Sequence, residues 1–264
     1  MSEHNLSPVT IITGGGTGIG AACARRLSAE GARVILIGRR IEPIASLAQE
    51  IGAIALAGDV SNTASWQLLS KEIATNGQIV DRVICCAGGM GMGKITDMSD
   101  ADWQQSLESN LTSAFATARA CLPELIKTRG NIVFVASIAS LAAGPDVCGY
   151  VTAKHALLGL MRSVARDYGP LGVRANAVCP GWVRTPMADE EMLPLMDAHR
   201  LTLEQAYHYV CRDVPLRRPA TADEIAAICQ FVSSPAASIL TGATLVADGG
   251  STIVDVPTLA FNSL

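Results

Sequence analysis

A chain of 264 residues, 49% of them hydrophobic, is long enough to bury a substantial core without disulfide or metal staples. A net charge of -4 at pH 7, with the basic residues scattered apart from three Arg pairs, argues against a nucleic-acid partner. No apolar run approaches the ~18 residues of a membrane span, and the first eight residues carry Glu3 and no apolar signal core, so a soluble cytoplasmic protein with no membrane partner is expected.

Taken in chain order, short apolar runs rich in β-branched residues lie at 9–13, 33–37, 53–57, 80–86, 131–136, 174–179 and 244–247, and read as seven strands. Their near-continuous apolar character suits strands covered on both faces, as in a parallel sheet. Helix-length amphipathic stretches at 19–30, 42–51, 61–76, 99–126, 150–168 and 222–233 separate them. This alternation predicts an α/β, Rossmann-like doubly wound sheet of seven parallel strands flanked by helices, in a single domain over 1–264. The segment 186–218 is longer than an ordinary connection and mixes acids with Met187, Met192, Leu193, Leu195 and Met196, so it is expected to form a substrate-binding lid within that domain. The eight cysteines lie mostly in apolar segments without C-x-x-C spacing and the four histidines are dispersed. Buried, reduced thiols are expected, and no metal site.

The first strand runs directly into Thr13-Gly14-Gly15-Gly16-Thr17-Gly18-Ile19-Gly20 and then into a helical stretch. Glycines let the backbone turn sharply and approach a pyrophosphate, while the helix N-terminus offers unpaired amides to the anion. This is the order of elements that a dinucleotide site needs. At the end of the second strand, where an NAD-specific site places a carboxylate for the ribose 2'-hydroxyl, the chain has Gly38-Arg39-Arg40. A guanidinium there favours a 2'-phosphate, so NADP(H) is expected over NAD(H), with Arg39 as the main contact. Further on, Tyr150 and Lys154 stand four apart on a helical stretch, thirteen residues after Ser137. Residues at that spacing share a helix face, so an ammonium beside the phenol is expected to favour its ionised form and make it usable as an acid or base.

With the glycine loop and the Tyr150/Lys154 pair go Asp59-Val60 after the third strand, Cys86-Ala87-Gly88 after the fourth, Asn110, Ser137, and Pro180-Gly181-Trp182-Val183-Arg184-Thr185 after the sixth. In this set and order the chain resembles the short-chain dehydrogenases/reductases, in their single-domain branch, over nearly its whole length. The resemblance implies hydride transfer between a nicotinamide and a carbonyl carbon, with Asn110, Ser137, Tyr150 and Lys154 as the catalytic tetrad. Tyr150 would exchange the proton, Ser137 hold the carbonyl oxygen, Lys154 lower the Tyr150 pKa and bond the ribose, and Asn110 anchor a water. For the cofactor it implies Gly14, Gly16, Thr17, Gly18 and Ile19 at the phosphates, Asp59 and Val60 at the adenine, and Ala87 and Gly88 at the ribose side. Val183 and Thr185 would lie beside the nicotinamide carboxamide, and Pro180, Gly181, Asn110, Tyr150 and Lys154 would complete the pocket. One departure stands out: Cys85-Cys86 replaces the family's usual Asn-Asn, losing an amide that ties the fourth strand to its neighbours.

Residues expected near the reacting carbonyl, among them Met90, Ala143, Val147, Trp182 and Met187, are mostly apolar and favour a hydrophobic or alicyclic ketone or alcohol. Reduction of a 3-oxoacyl thioester is the alternative within the fold, and a nucleotide-sensing regulator without turnover the alternative from another class. The resemblance also implies a homotetramer, expected through an apolar stripe of Ala153, Ala156, Leu157, Leu160 and Met161 and through the hydrophobic tail 253–261.

Overall fold

Residues 7–75 and 78–263 are described by a computed structural model; the first six residues, and position 76 at the end of the expected third helix, lie outside them. The order is β1 (Ser7–Thr13), α1 (Gly18–Ala29), β2 (Arg33–Gly38), α2 (Ile41–Ile51), β3 (Ile54–Ala57), α3 (Thr63–Thr75) and β4 (Gln78–Cys85). It continues with α4 (Asp100–Leu107), α5 (Ser113–Thr128), β5 (Asn131–Val135), α6 (Cys148–Tyr168), β6 (Arg174–Pro180) and β7 (Val183–Arg184). The last elements are α7 (Pro186–His199), α8 (Leu203–Val210), β8 (Ala220–Thr221), α9 (Ala222–Ser233) and β9 (Thr244–Ala247). Seven strands form one parallel sheet in the order β3-β2-β1-β4-β5-β6-β9, and β7 and β8 make a separate short parallel pair.

Alternation along each strand divides the core into two layers. Ile11, Ile35, Val83 and Phe134 pack with α3, α5 and α6 on one face, while Ile12, Leu36, Ile84 and Val133 pack with α1, α2 and α9 on the other. Side chains of a strand point alternately to opposite faces, so a strand covered on both sides is apolar at every position, and this accounts for the unbroken apolar runs. β9 pairs with β6 alone, and the Arg174 guanidinium of β6 donates to the carbonyls of Val232, Ser234, Ala237 and Leu240, gathering the turn that leads from α9 to β9.

Two expectations are corrected, the second in part. The single helix over 99–126 is broken by a π turn, Glu108–Thr112, in which the Ser113 N–H bonds the Glu108 carbonyl five residues back. The cause is local competition: Ser113 Oγ takes the Ser109 carbonyl at 2.7 Å, and Ser109 Oγ takes that of Gln105 at 2.9 Å. Of the apolar stripe on α6, Ala153, Leu157 and Met161 are buried in the chain's own core at the i, i+4, i+8 positions that face the sheet, while Ala156 is exposed and Leu160 half-buried. The tail forms short 3₁₀ turns, Ser251–Ile253 and Val256–Ser263, and leaves Ile253, Val256 and Phe261 exposed.

No helix among the described residues is long and apolar enough to cross a membrane. All eight cysteines are free thiols, and the described residues hold no cluster of His, Cys, Asp or Glu that could bind a metal ion.

Candidate active site

From β1 the chain builds outward through β2 to β3, and from β4 it builds the other way, so the order reverses between β1 and β4. A cleft of about 560 Å³ opens there, at the C-terminal ends of the strands, where open α/β sheets bind ligands. Its floor depends on close backbone approach. Gly14 has φ +64°, and a Cβ on it would lie 2.9 Å from the backbone of Ala87; a Cβ on Gly20 would lie 2.3 Å from the Gly14 carbonyl oxygen. α1 begins with no side-chain cap on its first amides and no acid in its first turn, so those N–H groups face the cleft without a competing anion. This chemistry fits a pyrophosphate.

Arg39 and Arg40 line the same cleft and are exposed, and among the described residues no hydrogen bond or ion pair engages either guanidinium. Arg25 and Arg26, by contrast, are each paired at 2.7 Å, with Glu50 and Asp223. Asp59 accepts the Ser61 N–H at 2.9 Å, fixing the turn in which Val60 is buried. Thr13 ties the loop after β4 to β1: its carbonyl accepts Cys86 N–H at 3.2 Å and its hydroxyl accepts Ala87 N–H at 3.3 Å. The Cys86 thiol turns instead toward Cys23, which also hydrogen-bonds Cys229.

The four residues expected to be catalytic converge at the inner end. Lys154 is buried, donates to the Val135 carbonyl at 3.1 Å, and holds Nζ 5.5 Å from the centroid of the Tyr150 ring. Ser137, two residues beyond β5, hydrogen-bonds the Tyr150 hydroxyl, while its Oγ also caps a short 3₁₀ turn by accepting the Ala139 N–H at 3.1 Å. Asn110 sits inside the π turn, buried, accepting the Gly89 N–H at 3.2 Å and donating to the Ser106 carbonyl at 3.0 Å. Its Oδ1 is 3.1 Å from where a Gly88 Cβ would be, with Lys154 Nζ at 3.9 Å, so Gly88 is the spacer between the two.

Burial pushes the Lys154 ammonium down to about 8. Burial also raises the Tyr150 phenol, and the hydrogen bond from Ser137 opposes it. The expected depression of Tyr150 by Lys154 is therefore not found. The ammonium is committed to the Val135 carbonyl, and desolvation is the largest influence on the phenol.

All residues expected to hold a dinucleotide face the cleft except Pro180, Gly181 and Val183. Pro180 ends β6, Gly181 N–H bonds the Ala247 carbonyl at 3.2 Å, and the Val183 side chain is buried in the core while its backbone pairs with β8. Thr185 caps α7 by accepting the Ala188 N–H at 3.2 Å. Beyond Thr185, α7 and α8 share a small core of Ala188, Met192, Ala206 and Tyr207, and Tyr207 donates to Asp189 at 2.8 Å. Sequence reasoning passes over two residues here, Thr13 and Gly20, which stand within or beside the glycine string itself.

A family model described as Enoyl-(Acyl carrier protein) reductase matches residues 14–252. Protein MoaE of Klebsiella aerogenes is 58% identical over 97% of this chain and 100% of its own length. Meso-2,3-butanediol dehydrogenase of Serratia marcescens is 33% identical over 94% of this chain and 95% of its own. A variant of actinorhodin polyketide ketoreductase solved with NADPH superposes with a TM-score of 0.87 at 28% identity, covering 95% of this chain and 98% of that one. A nearly full-length model match, relatives aligned end to end and a shared parallel sheet leave one assignment: the chain belongs to the short-chain dehydrogenase/reductase family, as an oxidoreductase acting on CH–OH groups.

Proposed function

We propose that the protein interconverts a secondary alcohol and a ketone, on a hydrophobic or alicyclic skeleton, with NADP(H) preferred to NAD(H). The observation that carries this reading is the single cleft that joins the glycine loop to a Tyr150 hydroxyl held by Ser137, with Lys154 buried beside it. A bound nicotinamide dinucleotide supplies the hydride donor or acceptor. The chain's own residues do the rest. Tyr150 gives its proton to the oxygen of a ketone as negative charge develops there, and takes it back in the reverse direction. Ser137 holds that oxygen. Lys154, cationic at neutral pH, steadies the phenolate that remains. Asn110 fixes the loop carrying Gly88 and Gly89 against the floor of the site. The segment 186–218 acts as the lid, its two helices closing the substrate side.

The preference for NADP(H) rests on Arg39 and Arg40, unpaired guanidinium groups at the rim where a 2'-phosphate would lie. Arg39→Asp is expected to shift the ratio of kcat/KM for NADPH over NADH toward NADH by at least about tenfold, the weight of one charge-assisted contact. A wild-type preference for NADH would refute the assignment.

Reduction of a carrier-bound thioester would want a basic entrance. Arg184, Arg212 and Arg218 are each paired with an acid, Glu204, Asp213 and Glu224 respectively, and Arg217 stands 4.0 Å from Asp213. That compensation favours a small free substrate. A panel of cyclic ketones and acetoacetyl thioesters separates the two, and any NADPH consumption rules out a regulator without turnover.

The assembly we propose is a homotetramer. Support comes from the outer faces of α4 and α5, where Trp103 and Phe115 are exposed, and from the exposed apolar tail. Light scattering at micromolar concentration is expected to give four times the chain mass, and a monomer would contradict the proposal.

A further inference from the structure

The lid joins the body through a narrow neck. The chain enters it along β7 and leaves along β8, and these two-residue strands pair with each other, Val183 with Ala220 and Arg184 with Thr221. The Ala220 N–H closes the pair on the Trp182 carbonyl at 2.8 Å, and the returning chain is tied once more where the Leu216 N–H meets the Gly249 carbonyl at 3.1 Å. Side chains of an extended segment alternate between two sides, and at this neck the two sides serve different masses. Val183 is buried in the main core and Thr185 lines the cleft, its methyl 3.1 Å from where a Gly18 Cβ would be. Trp182 and Arg184 face the other way, onto the lid. The lid's own core belongs to neither layer of the main core, which leaves the neck to hold α7 and α8 in place. Arg184 is the grip. Its guanidinium lies over the ring of the buried Tyr207 in α8, with Cζ 4.3 Å from the centroid, and also pairs with Glu204 one turn earlier. The Tyr207 hydroxyl carries the link to Asp189 in the first turn of α7 at 2.8 Å. Glu204 is exposed, so the ion pair contributes little, whereas the stack on a buried ring is shielded from water.

We propose that Arg184 is a positioning residue: by stacking on Tyr207 it holds α7 and α8 as one body in the register that brings Met187 to the cleft, and so sets the affinity for the substrate without touching it. This rests on the lid reading above and names the side chain that fixes the lid. Met187 lies three residues beyond Arg184 and lines the cleft, while Arg184 itself does not. A grip that serves ground state and transition state alike acts on KM more than on kcat. Lysine cannot replace it, because a point charge keeps the pair with Glu204 but has no plane to lay on the ring.

The test uses the full chain as wild type, Arg184→Met, Arg184→Lys and Met187→Ala. Values of kcat and KM are measured for cyclohexanone and butanone with NADPH and with NADH, and backbone hydrogen exchange is followed by mass spectrometry with cofactor bound. Arg184→Met is expected to raise KM for both ketones roughly tenfold, with kcat and cofactor Kd within about threefold of wild type. Exchange over 186–210 is expected to quicken roughly tenfold while β1, β4 and β5 keep their wild-type rates, a pattern that a general loss of stability does not give. Arg184→Lys is expected to follow the methionine variant in both readouts, and it serves if that variant does not fold. Wild-type values in Arg184→Lys, or unchanged exchange over 186–210 in Arg184→Met, overturn the proposal. Met187→Ala examines the lid by itself and is expected to raise KM with exchange unaltered. A wild-type KM in Met187→Ala removes the lid reading and this proposal with it, whereas a raised KM there beside an unchanged Arg184→Met removes this proposal alone. If neither ketone turns over, the reading of the substrate skeleton fails, and the exchange rates still decide on Arg184.

Discussion

Tyr150→Phe is expected to lower kcat for ketone reduction by roughly 10²- to 10⁴-fold, the usual contribution of a positioned general acid. The ring stays in place, so NADPH binding followed by fluorescence is expected to persist, and a drop in kcat without loss of binding is the signature. The same residues set a pH profile in the wild-type enzyme. Burial raises Tyr150, so at neutral pH the phenol is protonated and ready to donate, and alkaline conditions are needed to prepare it as a base. Lys154, pushed down to about 8, is charged below that pH and neutral above it. Reduction should therefore hold steady up to about pH 7 and fall as the ammonium loses its proton. Oxidation of the alcohol, which needs the phenolate, should rise over the same interval. A reduction rate that climbs between pH 7 and 9, or a Tyr150→Phe enzyme at wild-type rate, would remove Tyr150 from the chemistry.

Gly20→Ala is expected to be among the most damaging single-methyl additions in the chain. Its Cβ would stand 2.3 Å from the Gly14 carbonyl oxygen, which is backbone and cannot swing aside. The glycine loop must shift, at a cost of about 3 kcal/mol or more, which for a chain of this size lowers Tm by roughly 6–12 °C. Because the displaced oxygen belongs to the cleft floor, affinity for NADPH should fall with it. Gly31→Ala is the control: that residue has φ +87° but nothing within 4 Å of an added Cβ, so it carries conformational strain of only about 1–2 kcal/mol and should spare cofactor binding. Equal effects from the two substitutions would mean that backbone conformation, not the contact with Gly14, governs the loop.

The strands were legible because a doubly covered strand must be apolar at every position, and all seven stand within two residues of their expected limits. The glycine string was legible because only glycine fits at Gly14. What stayed hidden depends on competition between groups too close to rank from sequence. The π turn at Asn110 arises because serine hydroxyls and backbone amides contend for the same carbonyls. The α6 stripe reads equally well as core or interface until the sheet it faces is known. The Tyr150/Lys154 pair was visible by spacing, but the carbonyl of Val135, which decides where the ammonium points, lies nineteen residues away in sequence.

The place of β9 has a bearing on biosynthesis. The glycine loop and Tyr150 have both left the ribosome once β6 emerges, yet β6 keeps an unsatisfied edge until residues 244–247 arrive and Arg174 gathers the turn before them. An exposed parallel edge is a template for pairing with another nascent chain. Chains stalled or cleaved between α6 and β9 should thus gather in the insoluble fraction, while those carrying the final strand are released folded.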